Sequence, residues 1–408
     1  MRKKPELLIP ASSLEVLKIA VVFGADAVYI GGEAFGLRAK AKNFSMEDMR
    51  EGIAFAHEHG VKVYVTANIL AHNKDLPQAR EYFQELKEIK PDALIISDPG
   101  IYMIAQEICP EIERHISTQA NNTNYGTYLF WWNQGAKRVV SARELSLEEI
   151  REIRSHIPEE MEIETFIHGA MCISYSGRCL LSNFFTGRDA NQGACTHPCR
   201  WKYSVVEETR PGEYMPVYEN ERGTYIFNSK DLCMIGHMED ILSSGIDSLK
   251  IEGRMKTALY VATVARTYRK AIDDCLEDPE KYRKNMPWYQ EQIRSCTYRQ
   301  FTTGFFYGKP DETSQIYDNN TYEKGYTYLG IVWEVEDGVC RIEQRNKFSL
   351  GETIEIMKPD GRNQEVTVER IVNEEGKEQE SAPHPQQILY VTLSQAPEKY
   401  DILRRKEN

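Results

Sequence analysis

Long apolar runs are missing from this sequence. None of its 408 residues belongs to a stretch approaching the roughly 20 consecutive apolar residues that a spanning helix needs, and the mean hydropathy is -0.53. This excludes a membrane protein. The start, MRKKPELLIPASS, is basic, but Pro5, Glu6 and Pro10 interrupt any apolar stretch of the kind found in export signals. We therefore expect a protein that is not exported and that works in the cytoplasm.

The sequence also lacks an even set of cysteines. It has nine, in a chain large enough to fold without disulfide bonds. Such usage is typical of a reducing compartment, in which thiols serve as metal ligands or as reactive groups.

An excess of basic residues is absent as well. The chain has 50 Lys and Arg against 62 Asp and Glu, a net charge of -12. A protein with this charge repels phosphate backbones and should not bind nucleic acids indiscriminately. A local basic face remains open, because residues 250–270 contain six Lys and Arg: Lys250, Arg254, Lys256, Arg266, Arg269 and Lys270. This stretch permits an RNA partner.

The common protease motifs are missing. There is no G-x-S-x-G and no H-E-x-x-H, and the His57-Glu58-His59 triplet has the wrong spacing for a zinc protease. Cys172 and His168, four residues apart, could be a nucleophile and its base, but three further thiols nearby make metal ligation the better explanation. The sequence thus gives a peptidase little support, and we keep it as an alternative.

The first 275 residues alternate short apolar segments with amphipathic helices. This pattern is typical of a parallel sheet with crossover helices. The strands are predicted at residues 6–10, 27–31, 62–67, 93–97, 114–118, 138–142, 162–168 and 248–252. Ser45 and Ser146 are predicted N-caps, the latter in a capping box with Glu149, and a long helix is predicted at 257–275. We predict an α/β fold, a closed (β/α)8 TIM-like barrel, with an open doubly wound sheet as the alternative.

Three further segments complete the predicted organisation. A cysteine-bearing insertion occupies about 170–245 within the barrel domain 1–275, and the strand-like run 225–229 makes a ninth candidate strand. Residues 276–320 are polar and aromatic and are predicted to be a helix-poor connector. Short alternating segments separated by DG, LG and PDG turns predict a small antiparallel β-barrel domain at 321–408.

Four cysteines are crowded into one loop-rich segment: Cys172, Cys179, Cys195 and Cys199 are spaced C-x6-C-x15-C-x3-C. Thiolates that converge repel each other, so a cationic centre is the usual reason for such crowding. The wide x6 spacing favours an iron–sulfur cluster, such as a 4Fe-4S cluster, over zinc, while a redox thiol site is the third possibility. Cys233 could replace Cys199 as the fourth ligand. The seventh strand brings this segment to the carboxyl face, where barrel enzymes build their sites.

The segment from Glu164 to Ser182 resembles the signature of peptidase family U32, E-x-F-x2-G-[SA]-[LIVM]-C-x4-G-x-C-x-[LIVM]-S, at every specified position. The flanking GLRAKAKNFS, GRDANQGAC, CRWKY, NSKDL and SLKIEGRMK look like the tRNA-modifying branch of that family, over nearly the whole chain. The resemblance implies an iron–sulfur enzyme that uses prephenate as co-substrate in the oxygen-independent 5-hydroxylation of the wobble uridine of tRNA. Other branches hydroxylate ribosomal RNA or act in ubiquinone synthesis, and the family name comes from a collagenase assignment.

Prephenate is a dicarboxylate, so its site needs cations, and guanidinium matches carboxylate best. Candidates follow the predicted strands. We predict catalytic roles for His168, Arg143 and Glu252, and substrate-binding roles for Arg38, Asn68, Gln119, Asn121, Arg178 and Arg254. Asp98 follows the fourth strand in the same way. The alternatives are surface ion pairs for the arginines, a mutual pair for Glu252 and Arg254, and loop or cap hydrogen bonds for the others.

A contact with tRNA is predicted near the cysteines, where Arg200 and Lys202 lie beside Trp201 and Tyr203. Aromatic stacking and basic side chains are how unpaired RNA bases are held. The alternative is an aromatic and basic strand edge packed on the barrel. A non-catalytic, zinc-stabilised RNA-binding or assembly protein is a further alternative. The sequence leaves the oligomeric state open.

Overall fold

The computed structural model describes residues 4–36, 43–172, 174–201, 204–206, 214–216, 229–296, 299–310 and 325–407. They form two compact units. The first lies within residues 1–17, 26–255 and 299–321, and the second within 18–25, 256–298 and 322–408. No helix among the described residues is long and apolar enough to cross a membrane.

The first unit is built on a parallel sheet. The described strands of this unit are β1 (Glu6–Pro10), β2 (Ala27–Gly31), β3 (Lys62–Ala67), β4 (Ala93–Ile96), β5 (Glu113–Ile116), β6 (Arg138–Val140), β7 (Glu162–Ala170), β8 (Ser204–Val206), β9 (Tyr214–Pro216), β10 (Asp231–Cys233), β11 (Ser248–Ile251) and β12 (Phe301–Thr302). All of them except β8 and β9 belong to one sheet. Strands β1 to β7 pair in chain order. Strand β11 closes the ring, because Ser248 pairs with Glu6 of β1 and with Glu164 of β7. The predicted eight-stranded barrel is thus confirmed, and the open sheet is excluded.

The helices among the described residues include two that begin at their predicted N-caps. The described helices are α1 (Leu14–Val22), α2 (Met46–Glu58), α3 (Leu76–Ile89), α4 (Pro99–Ile108), α5 (Tyr125–Asn133), α6 (Leu147–His156), α7 (Leu181–Thr186), α8 (Met238–Leu242), α9 (Ala258–Glu277) and α10 (Pro279–Ser295). The Ser45 side chain accepts a hydrogen bond from the Asp48 N–H, and Ser146 and Glu149 form the expected capping box. These caps satisfy backbone N–H groups in the first turns of α2 and α6.

The prediction that 276–320 is helix-poor was wrong, because α10 fills much of it. Asp278 caps the helix by accepting from the Glu280 N–H, and Pro279 takes the first position, where a missing N–H costs nothing. Tyr282, Tyr289 and Ile293 form a buried apolar face at helical spacing. That periodicity outweighs the interior Pro287, which made the segment look like a connector.

The insertion that carries the cysteines contains little regular structure in its described part. It contains α7, the two-stranded β8–β9 sheet, β10, which runs antiparallel to β7, and the short helix α8. Of the predicted strand 225–229, only Ser229 belongs to the described residues. The boundaries 275, 320 and 321 stay predictions.

The second unit contains a closed antiparallel barrel, as predicted. Its strands are β13 (Tyr326–Glu336), β14 (Val339–Gln344), β15 (Thr353–Met357), β16 (Asn363–Asn373), β17 (Ile388–Leu393) and β18 (Ile402–Lys406). They pair in the order β13-β14-β17-β16-β15-β18, and β13 also pairs with β18. Alternating residues such as Leu329, Ile342, Ile354, Val366 and Leu403 fill its core.

Candidate functional site

A pocket lies at the carboxyl ends of the barrel strands. Its lining consists of Tyr29, Thr66, Asn68, Ile95, Ser117, Thr118, Gln119, Val140, Arg143, Phe166, Lys250, Glu252 and Arg254. Five of these residues were singled out from the sequence as site residues: Asn68, Gln119, Arg143, Glu252 and Arg254. The charged lining residues are three cations and a single carboxylate. The pocket therefore has the electrostatics of a site for a small anion.

Arg254 reaches into the pocket from just beyond β11 and is buried. Its Nη1 donates to the Thr66 hydroxyl at 2.6 Å. A Cβ on Gly31 would lie 2.5 Å from the same Nη1, so glycine leaves the space that the guanidinium occupies. Beside it, the Tyr29 hydroxyl donates to the Ile251 carbonyl at 2.9 Å and lies 3.4 Å from a Glu252 carboxylate oxygen. The two charges that follow β11 are thus separately anchored.

Arg143 stands beyond β6 with its guanidinium carbon 4.0 Å from the centre of the Phe166 ring. In the part of the chain that the structure describes, no carboxylate lies within ion-pair distance of this guanidinium. A planar cation stacked on an aromatic face keeps its in-plane N–H donors available. Arg143 is therefore well suited to bind a carboxylate in the pocket.

Lys250 lines the pocket and does not belong to a basic surface, which the sequence had left open for residues 250–270. Its side chain is buried in the barrel with 4% exposure, and its Nζ lies 2.6 Å from the Glu164 carboxylate. Arg254 and Arg266 are buried too, so half of the cations in 250–270 are unavailable to a phosphate backbone. Composition could not show this, because a lysine inside a barrel and a lysine on its surface look alike in sequence. The signal was the position of Lys250 between the apolar strand residues Leu249 and Ile251.

A buried charge network lies beside the pocket. Arg138 is ion-paired with Glu6 at 2.6 Å, with Glu162 at 2.6 Å and with Glu164 at 3.0 Å. Burial alone would raise the pKa of Glu6, but Arg138 outweighs it and lowers the pKa to about 2. Burial would also raise the pKa of Glu164, but the charges of Lys250 and Arg138 outweigh burial and lower this pKa. The network therefore favours the ionised forms of Glu6 and Glu164.

Several predicted site residues lie elsewhere. His168 is buried but does not line the pocket, and its ring centre is 5.9 Å from that of Phe301. Arg178 is exposed. Asn121 has a left-handed backbone with φ of 57°, and its buried side-chain nitrogen has no hydrogen-bond partner among the described residues. Asp98 caps α4, accepting from the Gly100 and Ile101 N–H groups. Arg38 lies outside the described residues.

The cysteine segment, which extends from Cys172 to Cys199, contacts the rim of the pocket at two points. Gly177, between Cys172 and Cys179, packs on the backbone of Gln119, which lines the pocket. In addition, the Leu70 N–H donates to the Asn191 carbonyl at 3.1 Å, and the Asn191 side chain donates to the Cys179 carbonyl at 3.1 Å. The segment therefore lies beside the pocket.

The thiols of Cys172, Cys179, Cys195, Cys199 and Cys233 form no disulfide bonds among the described residues, and all five are at least partly exposed. Cys195 lies near His197, with its sulfur 3.9 Å from Nδ1 and accepting from the His197 N–H at 3.4 Å. Among the described residues, no three His, Cys, Asp or Glu side chains are arranged to hold a single metal ion. A donor set of four thiols fits an iron–sulfur cluster by its chemistry, and their joint ligation stays a prediction.

We expect Gly177→Ala to loosen the cysteine segment from the rim. Gly177 has φ of +74°, and an added Cβ would lie 2.3 Å from the Gln119 carbonyl oxygen. Gly187 offers a matched control, because it is also left-handed at φ +67° but has open space around its Cβ position. Both variants carry the backbone strain, but Gly177→Ala alone adds overpacking worth about 1–3 kcal/mol.

Hydrogen exchange read by mass spectrometry checks this prediction. Amides in 174–196 should exchange faster in Gly177→Ala than in Gly187→Ala. Equal exchange in both variants would show that the contact with Gln119 does not hold the segment.

Exposed aromatic side chains lie in the same segment and just after it. Phe184 is 83% exposed and Trp201 is 46% exposed, and the rings of Phe185 and Trp201 are 6.4 Å apart. The side chain of Arg200 and all of Lys202 and Tyr203 lie outside the described residues. Of the four residues of the predicted RNA contact, the structure therefore describes the side chain of Trp201 alone.

Comparisons with known proteins agree with this architecture. Residues 12–316 match the model of peptidase family U32, and residues 324–404 match that of the peptidase family U32 C-terminal domain. The chain is 42% identical to tRNA hydroxylation protein P1 of Bacillus subtilis (strain 168), covering 96% of this chain and 92% of that protein. It is 39% identical to tRNA hydroxylation protein P of Escherichia coli (strain K12), covering 98% and 97%. The solved U32 peptidase Mk0906 is 14% identical, with a TM-score of 0.41, over 61% of this chain and 93% of that one. From its barrel, its cysteine segment and these matches over nearly its full length, the chain belongs to peptidase family U32.

Proposed function

We propose that this protein is an iron–sulfur tRNA-modifying enzyme of the cytoplasm that uses prephenate to hydroxylate C5 of the wobble uridine of tRNA. The observation that carries the proposal is the pocket lining, where three cations face a single carboxylate at the mouth of the barrel. Relatives that align over nearly the whole chain are named tRNA hydroxylation proteins. A small anionic co-substrate beside an RNA base would account for both.

The chemistry of the pocket residues suggests different roles for them. Arg143 and Arg254, which line the pocket, would bind the two carboxylates of prephenate, because planar guanidinium groups match carboxylates in pairs of hydrogen bonds. Glu252 is the carboxylate in the lining and is the candidate for moving a proton. Asn68 and Gln119 would orient the ligand through their amides. Roles for Arg38, Asn121, His168 and Arg178 remain part of the proposal.

The cysteine segment would hold the cofactor at the edge of this pocket. Cys172, Cys179, Cys195 and Cys199 are the proposed ligands, with Cys233 as the alternative to Cys199. When bound, a 4Fe-4S cluster would supply one-electron or Lewis-acid chemistry. The support is the donor set and the attachment of the segment to the rim residue Gln119.

The exposed rings of Phe184 and Trp201 are suitable for stacking with bases of a tRNA partner. Unpaired bases of an anticodon loop are held by stacking on aromatic faces, and a wobble base needs no duplex opening before it enters a pocket. We propose that tRNA approaches from this side of the cysteine segment.

Mass spectrometry of tRNA nucleosides from a deletion strain tests the function. We expect 5-hydroxyuridine and its derivatives to disappear and to return with the wild-type gene. Arg143→Met should fail to restore them, because it removes a carboxylate-binding cation from the pocket. Arg151→Met, an exposed arginine on α6, is the control and should restore them.

The rival functions predict other results. A zinc-stabilised assembly protein would leave the nucleosides of the deletion strain unchanged and would contain stoichiometric zinc. A peptidase would cleave peptides after its metal is removed. Either result would overturn the proposal.

A further inference from the structure

The first half of the family signature has no part in cysteine ligation. Glu164 and Phe166 lie two residues apart on β7, so they point to the same face of the strand. That face is the barrel interior, since Phe166 lines the pocket and Glu164 is fully buried. Their contacts show what they do there.

Both side chains contact cations of the pocket lining. The Glu164 carboxylate accepts from Lys250 Nζ at 2.6 Å. The Phe166 ring lies 4.0 Å from the guanidinium carbon of Arg143 and 5.5 Å from Lys250 Nζ. The centre of the Tyr29 ring lies 4.4 Å from the same ammonium. One carboxylate and two aromatic faces thus fix the ammonium in place.

This ammonium retains capacity for a ligand. It has three N–H groups, and the structure gives it one hydrogen-bond acceptor among the described residues, the Glu164 carboxylate. Lys250 nevertheless lines the pocket, together with Arg143 and Arg254. A buried donor without an acceptor costs free energy, which a ligand oxygen would recover.

We propose that Lys250 binds an oxygen of the small acid directly, as the third cation of its site, and that Glu164 and Phe166 of the signature are its positioning residues. The inference rests on the proposed function and adds a residue that was not among the site residues predicted from the sequence. It also gives the first half of the signature a role in the ligand pocket, separate from the cysteines of the second half.

Prephenate binding to anaerobically prepared protein, measured by isothermal titration calorimetry, tests the proposal. Lys250→Met should raise the Kd about 10- to 100-fold, as expected for a lost charge-assisted hydrogen bond. Lys62→Met, an exposed lysine at the start of β3, is the matched control and should leave the Kd unchanged.

A double variant separates ligand binding from a structural role. Lys250→Met alone leaves Glu164 paired with Arg138, and Lys250→Met with Glu164→Gln removes both charges of the pair. If Lys250 binds the ligand, the double variant has the raised Kd of Lys250→Met. If Lys250 only neutralises Glu164, the double variant regains the wild-type Kd, and the proposal is overturned.

The role of Phe166 is tested by conservative rescue. Phe166→Tyr keeps the ring and should bind like wild type, whereas Phe166→Leu should raise the Kd about 3- to 30-fold at a comparable melting temperature. An unchanged Kd in Lys250→Met overturns this inference alone. A wild-type protein that does not bind prephenate overturns the proposed function as well.

Discussion

Replacing Cys172 with alanine is expected to abolish iron and sulfide binding and, with it, tRNA hydroxylation. Cys172 is exposed, whereas Cys179, Cys195, Cys199 and Cys233 are partly buried, and it lies two residues after the end of β7. Loss of one thiolate ligand leaves a cluster open to solvent and to oxidation. After anaerobic purification and reconstitution, the wild type should be brown with about four iron and four sulfide per chain, and the variant should be nearly colourless.

Cys109→Ala is the control for this experiment. Cys109 is fully buried in the same unit, where its thiol donates to the Ala105 carbonyl, and its replacement should leave the iron content unchanged. Comparing Cys199→Ala with Cys233→Ala identifies the fourth ligand, because only the ligand's loss should remove iron. A colourless wild type after reconstitution, or a Cys172→Ala variant that hydroxylates tRNA normally, would contradict the cluster assignment.

The largest loss of stability is expected from Arg138→Met. This arginine is buried and pairs with Glu6, Glu162 and Glu164. Its removal takes this cation from the half-buried Glu6 and Glu162 and leaves the buried Glu164 with Lys250 alone. Breaking a buried ion pair in this way costs about 3–5 kcal/mol. Chemical denaturation at neutral pH measures the change in the free energy of unfolding.

Arg80→Met is the matched control. Arg80 forms a bidentate pair with Glu107, but both side chains are largely exposed, and such pairs contribute about 0–1 kcal/mol. A loss of stability in Arg138→Met no larger than that in Arg80→Met would show that the buried network is not needed for the fold.

The same variant should change the response to acid. Because Arg138 lowers the pKa of Glu6 from 4.5 to about 2, ionised Glu6 contributes stability that is fully present above pH 4.5. This contribution is lost as the pH falls through about 2. Arg138→Met removes it, so the stability of the variant should depend less on pH between 4.5 and 2 than that of the wild type.

The barrel strands could be predicted from the sequence because the patterns that indicate them are local. Strands such as Ala27–Gly31 and Lys62–Ala67 agree with the sequence prediction to the residue, since short apolar runs between capped helices leave few other structures. The helix Pro279–Ser295 was missed because Pro287 and its polar surroundings hid a buried face at helical spacing. Local breakers are weak evidence when tertiary packing supplies the missing free energy.

Part of the pocket could also be predicted from the sequence, because the positions of the strands determine which residues follow them. Polar residues that follow parallel strands meet at one edge, so Asn68, Gln119, Arg143, Glu252 and Arg254 could be named from position alone. Asp98, in an equivalent position, instead caps its own helix. Whether such a side chain lines the pocket or caps a helix depends on its contacts with residues that are distant in sequence. The position of a residue after a strand does not reveal these contacts.

By itself, the sequence determined the two barrels, the crowding of the cysteines beyond β7 and the membership of a family. These follow from periodicity, from capping residues and from a signature of fixed spacing, all of which are local. Only the tertiary structure decided that Lys250 faces Glu164 inside the barrel and that Gly177 packs on Gln119. Such contacts join residues 58 to 86 positions apart, and their geometry is set by strand register and by the closure of the ring, which no local pattern encodes.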